Sequence, residues 1–89
     1  MPAETRDKSS RPIINRLQRI EGQVRGIQRM VGEERDATEI LVQISAVLAA
    51  TRRLAGVVAH QALADAVDAE ATESDERVAS IIEAFSRID

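Results

Sequence analysis

The side chains best equipped for chemistry in this sequence are guanidiniums. Arg16, Arg19 and Arg25 fall in one stretch of periodic apolar residues, and the adjacent pair Arg52 and Arg53 falls in another. A guanidinium is planar, permanently charged and carries a fork of N–H donors, which suits bidentate contact with phosphate or carboxylate. Catalysis has little to work with. There is no cysteine and one histidine, His60, so no nucleophile and general base can be assembled from one imidazole and scattered carboxylates. The chain reads as a non-enzyme with no cofactor. Lack of cysteine removes disulfides, thiolate metal sites and thiol chemistry together. His60 reads first as a surface or inter-subunit structural residue, and second as a metal ligand beside Asp or Glu.

The charge is unevenly distributed. Net charge is -3, yet residues 1–31 hold seven basic and three acidic side chains, whereas residues 60–89 hold two basic and eight acidic ones. Such polarity can present a basic face to a polyanion while the acidic end limits promiscuous binding; its alternative reading is an ordinary solvated helix surface. Gln23 and Gln43 could add neutral hydrogen bonds. None of this contains a base-reading code.

These side chains must be positioned by helices. With 89 residues there is room for one domain, expected over residues 10–89 behind a mobile arm over 1–9. A single aromatic residue, Phe85, leaves Ile, Leu, Val and Ala to build the core. No strand or phosphate-binding glycine loop is evident, and the expected class is all-α. A first helix starts at Ser9 or Ser10 with Pro12 in its first turn. Ile13, Leu17, Ile20, Val24, Ile27 and Val31 then form a heptad-like seam expected to be core. Gly22 and Gly26 lie at its back, where they let a backbone or phosphate approach closely, and Gly32 ends the helix.

A long helix is expected over 36–68, opened by a capping box of Asp36 and Glu39, with Ile40, Ile44, Val47, Leu48, Leu54 and Val58 on one face. At 1.5 Å per residue it spans roughly 50 Å, too long for the core of an 89-residue monomer. Its partner is expected in another chain. A connection over 69–73 leads to a Ser74 cap and a short amphipathic helix through Val78, Ile81, Ile82, Phe85 and Ile88. Two tightly joined helices of this kind form a hairpin that completes its core by dimerising into a four-helix bundle.

The run Asn15-Arg16-Leu17-Gln18-Arg19-Ile20-Glu21-Gly22-Gln23-Val24-Arg25-Gly26-Ile27-Gln28-Arg29-Met30-Val31, followed by Ile40-Leu41-Val42-Gln43-Ile44-Ser45-Ala46-Val47, resembles the CsoR family with its RcnR and FrmR branches. The resemblance covers roughly residues 8 to 68. It implies a three-helix protomer, a homodimeric four-helix bundle, commonly paired into a tetramer, and a transcriptional repressor that releases operator DNA when it binds its inducer. It also implies DNA contact through basic residues of the first two helices, at positions filled here by Arg16, Arg19 and Arg53, with Arg25 and Arg52 beside them.

The family's inducer chemistry does not carry over. Its thiolate and histidine positions fall on Ala37, Ala62 and Ala66, and alanine has no lone pair to offer a metal. Positions 37 and 62 would lie about 37 Å apart on one helix, so a site using both joins two antiparallel chains. Pro2 matches the N-terminal proline of the formaldehyde-sensing branch, but its thiol partner is missing, which excludes a methylene cross-link.

The resulting expectation is a cytoplasmic repressor that binds double-stranded DNA as a homodimer or homotetramer, without a membrane span and without the usual sensing site. A small organic effector in the space vacated at Ala37, Ala62 and Ala66 is a further expectation. Two alternatives stand beside it. Arg52 or Arg53 could pair with Glu33, Glu39 or the acidic final segment, and the whole chain could be an interaction module that assembles with a related regulator and does not recognise DNA itself.

Overall fold

The computed structural model describes residues 3–67 and 71–88, with side chains over 10–67 and 75–88. The described residues form three helices and no strand: α1 (Ala3–Gly32), α2 (Ala37–Val67) and α3 (Ala71–Ser86). The all-α class and the three helices follow the sequence reading, but α1, expected to be short beside a long α2, has 30 residues against 31. Pro2, Asp68 and the first residues of the expected 69–73 connection lie outside the described residues, and the Ser74 cap and its side chain lie outside the described side chains.

Two boundaries differ from expectation. Helix α1 begins at Ala3, ahead of the Ser9/Ser10 start, so the expected arm is helical from Ala3 onward and Pro12 sits inside the helix. Proline marks an N-terminus only when the preceding residues are poor helix formers, and Ala3, Glu4, Arg6 and Lys8 are good ones. Helix α3 likewise begins at Ala71, ahead of Ser74.

The exit from α1 is made by Glu34 rather than by glycine. Glu34 has a φ of 57°, in the left-handed region, and Gly32 does not have positive φ. The Arg35 N–H donates to the Met30 carbonyl at 2.9 Å and the Glu34 N–H to the Val31 carbonyl at 3.0 Å. These are the paired bonds of a Schellman cap, which satisfy carbonyls that the helix end would leave open. One residue later Asp36 caps α2: its Oδ2 accepts from the Thr38 N–H at 3.2 Å. The reciprocal half of the expected capping box is replaced: the Glu39 carboxylate receives Arg35 Nη2 at 2.6 Å.

The chain divides into two compact units, Met1–Arg52 and Arg53–Asp89. The first joins α1 to the first half of α2 through residues 33–36, and the second holds the rest of α2 and α3. Only Leu54 and Ala66 are buried among the described residues. The α1 seam is therefore not core within one chain: Leu17 is 48%, Val24 42% and Val31 57% exposed, while Ile13, Ile20 and Ile27 are half-buried. Leu41, Ile44 and Leu48 on α2, and Ile82 and Phe85 on α3, are exposed too. An apolar helix stripe stays exposed where no second surface covers it.

Helix α2 is long and apolar enough to cross a membrane by length and composition, with mean hydropathy 1.4 over its most apolar window. Arg52 and Arg53 nevertheless stand at its middle. Two guanidiniums at that depth would cost roughly 2.5–3.5 kcal/mol each on insertion scales.

Candidate nucleic-acid interface

Helix α1 carries five arginines between residues 10 and 32 against a single carboxylate, Glu21. At about 100° per residue, the apolar seam occupies one side and the arginines fall on the others. Arg19, Arg25 and Arg29 are exposed, and Arg16, next to the seam, is half-buried. Arg25 lies 4.0 Å from Glu21, one turn earlier, with both side chains about two-thirds exposed. That pair is weak, because solvent screens it and two long side chains must be held in place.

The remaining candidate arginines are uncommitted. Among the described residues, no carboxylate stands within ion-pair distance of Arg16, Arg19, Arg29, Arg52 or Arg53. Two of the carboxylates considered as alternative partners for Arg52 and Arg53 are engaged elsewhere: Glu39 and Glu33 lie 2.6 and 3.7 Å from Arg35. The hydrogen bond from Arg35 to Glu39, and then the negative charge of Glu39, raise the guanidinium still further above its ordinary value. Arg35 thus belongs to the connection and to no anion site. Arg52 and Arg53 are both exposed; Arg52 ends the first unit and Arg53 opens the second.

Sequence reasoning alone misses Arg29 as a member of the candidate site. It is exposed, without a carboxylate partner among the described residues, and in the last turn of α1. Its signal is its position four residues after Arg25, one helical turn along the same side.

The expected ligand positions are chemically silent. Ala37 is exposed in the first unit; Ala62 is half-buried and Ala66 is 1% exposed in the second. No group of three His, Asp or Glu side chains suited to a metal occurs among the described residues. Ala62 does line an open cleft of about 440 Å³ with Asp65, Glu76, Arg77, Ser80 and Ile81. His60 is exposed.

The family model for metal-sensitive transcriptional repressors matches residues 9–87. The chain belongs to this family. It is 42% identical over 84 residues to the copper-sensing transcriptional repressor CsoR of Bacillus subtilis (strain 168), spanning 90% of this chain and 81% of that protein. It is 55% identical over 40 residues to the copper-sensing transcriptional repressor RicR of Mycobacterium tuberculosis (strain ATCC 25618 / H37Rv), spanning 45% of this chain and 42% of that one. No solved structure matches. The chain is a CsoR-like transcriptional repressor, and the resemblance carried by residues 15–31 and 40–47 is borne out over nearly its whole length.

Proposed function

We propose that this repressor holds operator DNA mainly through phosphate contacts from Arg16, Arg19, Arg25, Arg52 and Arg53, as a cytoplasmic homo-oligomer with no catalytic activity. The observation that carries the reading is that Arg16, Arg19, Arg52 and Arg53 have no carboxylate within ion-pair distance among the described residues, while Arg25 has only the weak, exposed pair with Glu21. Arginine without an ion-pair partner on a helix surface is poised for bidentate phosphate contact, and symmetry multiplies each one across an oligomer. Oligomerisation is supported by the exposed Leu41, Ile44 and Leu48, which recur at three- and four-residue spacing on α2, and by the exposed seam of α1. These residues cover each other when copies assemble as a bundle. Protein-facing use of α2 also explains its apolar composition without a bilayer, given the arginine pair at its centre.

Its relatives are named as copper sensors. Copper held by thiolate or imidazole at positions 37, 62 and 66 is not proposed for this chain, because methyl groups cannot ligate. If the repressor responds to a small organic effector, the cleft beside Ala62 presents it with Asp65, Glu76 and Arg77, charges of both signs.

The second reading is an interaction module that joins a related regulator through the same exposed apolar residues. One experiment separates the two. Fluorescence anisotropy would follow purified protein on its own upstream DNA and on a scrambled duplex, at low and moderate salt, alongside Arg16→Ala, Arg19→Ala and Arg53→Ala. Selective binding that falls steeply with salt and is weakened in the variants supports the repressor surface proposed here. Equal, weak binding to both duplexes, indifferent to the arginines, sinks it in favour of the module.

A further inference from the structure

Helix α1 carries a feature that phosphate contact in general does not require. Gly22 and Gly26 are four residues apart on a regular helix, and a Cβ built on either meets nothing within 4 Å. Neither glycine has positive φ. No steric demand among the described residues keeps a side chain away, although each glycine lowers helix stability by about 1 kcal/mol relative to alanine.

Helical geometry gives their placement a meaning. On a projection of about 100° per residue, Asn15 falls on the midline between the two glycines, and Arg19 and Arg29 fall roughly 40° to either side of it. Arg16 and Arg25 lie further round, on the Arg19 and Arg29 sides respectively. The apolar seam occupies the opposite face. Glycines thus form a bare strip of helix backbone flanked by guanidiniums on both sides, with an amide on its axis. Asn15, Arg19 and Arg29 are all exposed, and the two arginines have no carboxylate partner among the described residues.

We propose that this strip is where a DNA phosphodiester strand runs along α1. Gly22 and Gly26 admit the sugar–phosphate backbone close to the helix, Arg19 and Arg29 grip it from opposite sides, and Asn15 donates from the midline. The inference rests on the DNA-binding reading above and goes beyond it by adding Asn15, Gly22, Gly26 and Arg29 and by fixing which side of α1 meets the nucleic acid. Charge complementarity selects the occupant: five arginines against one glutamate over residues 10–32 fit a polyanion. Arg25 lies roughly 80° from the midline against roughly 40° for Arg29, so Arg29 contributes more than Arg25.

The test uses the full chain and the upstream duplex. Gly22→Ala/Gly26→Ala replaces two poor helix formers with the best one, so its melting temperature rises, yet its DNA affinity falls at least about tenfold because two methyl groups occupy the strand's path. Arg29→Ala weakens binding more than Arg25→Ala, and lowers the salt slope by about 0.9 for each phosphate that it leaves without a cation. The opposed signs of stability and affinity separate this role from a structural one. If the double alanine variant binds as tightly as the parent while Arg19→Ala weakens binding, the strip is wrong and the arginine surface stands. A change of oligomeric state in that variant, measured by sedimentation, also overturns the strip by assigning the glycines to a protein interface. If the parent itself does not prefer the upstream duplex over the scrambled one, the DNA-binding reading fails with it.

Discussion

Helix α1 and positions 37, 62 and 66 belong to one regulator, yet they have opposite chemistry. Between residues 10 and 32 the helix carries five arginines and one glutamate, and that glutamate stands near Arg25 alone. At the other three positions the side chain is a methyl group, one of them 1% exposed. In the function proposed above, contact with DNA falls to the arginines, while the positions at which the family resemblance places the inducer ligands hold only methyl groups, so one set is empty while the other keeps its charge. Electrostatic attachment needs only charge on an exposed face, whereas metal ligation needs particular donor atoms at fixed separations.

That contrast can be tested most forcefully on the arginine side. Arg16→Ala/Arg19→Ala/Arg53→Ala should lower affinity for the upstream duplex by on the order of 100-fold and flatten its salt dependence, read by anisotropy across a salt series. Retained affinity would mean that the basic surface is decorative. The next largest effect concerns assembly. Leu48→Asp places a charge among Leu41, Ile44 and Leu48 and should shift the protein to monomers by analytical ultracentrifugation, with DNA binding abolished as the arginines are separated from their symmetric copies.

On the silent side, Ala62→His/Ala66→Cys sets two donors one helical turn apart. The variant should retain more Zn²⁺ through desalting than the parent, measured by elemental analysis; equal metal in both would mean that the chain already binds metal elsewhere, and none in either that two donors are too few to hold it. A smaller effect is expected at the join between α1 and α2. Glu34→Gly relieves a left-handed residue and should stabilise the chain by about 1 kcal/mol, or roughly 4–8 °C in melting temperature. The smallest is Glu39→Gln, which removes an exposed pair with Arg35 and should move the melt less than Glu34→Gly does, with DNA affinity unchanged.

Much of the candidate site could be named from the sequence because its signals are local. The arginines are permanently charged in any environment, and helical spacing alone distributes them around α1. The empty ligand positions were legible too, since an alanine is silent wherever it lies. The charged run Glu33 to Arg35 was legible as the connection after α1, but the pairing of Arg35 with Glu39 was not, because it depends on how the chain leaves α1. Gly32 is the obvious C-terminal signal, but the left-handed residue is Glu34, two positions later, and the Schellman bonds to Met30 and Val31 set that choice. Pro12 misled for a related reason: its meaning as a helix start depends on the residues before it.

The sequence by itself determined three helices, their apolar faces and the polarity of charge along the chain, because backbone hydrogen bonding and the 3.6-residue period act over neighbouring residues. Tertiary structure decided which apolar residues are covered. The seam from Ile13 to Val31 and the face through Ile44 and Leu48 look like core in the sequence, yet within one chain burial is confined to Leu54 and Ala66 among the described residues. Periodicity states that a helix face needs a cover, and it is silent on whether the same chain supplies one.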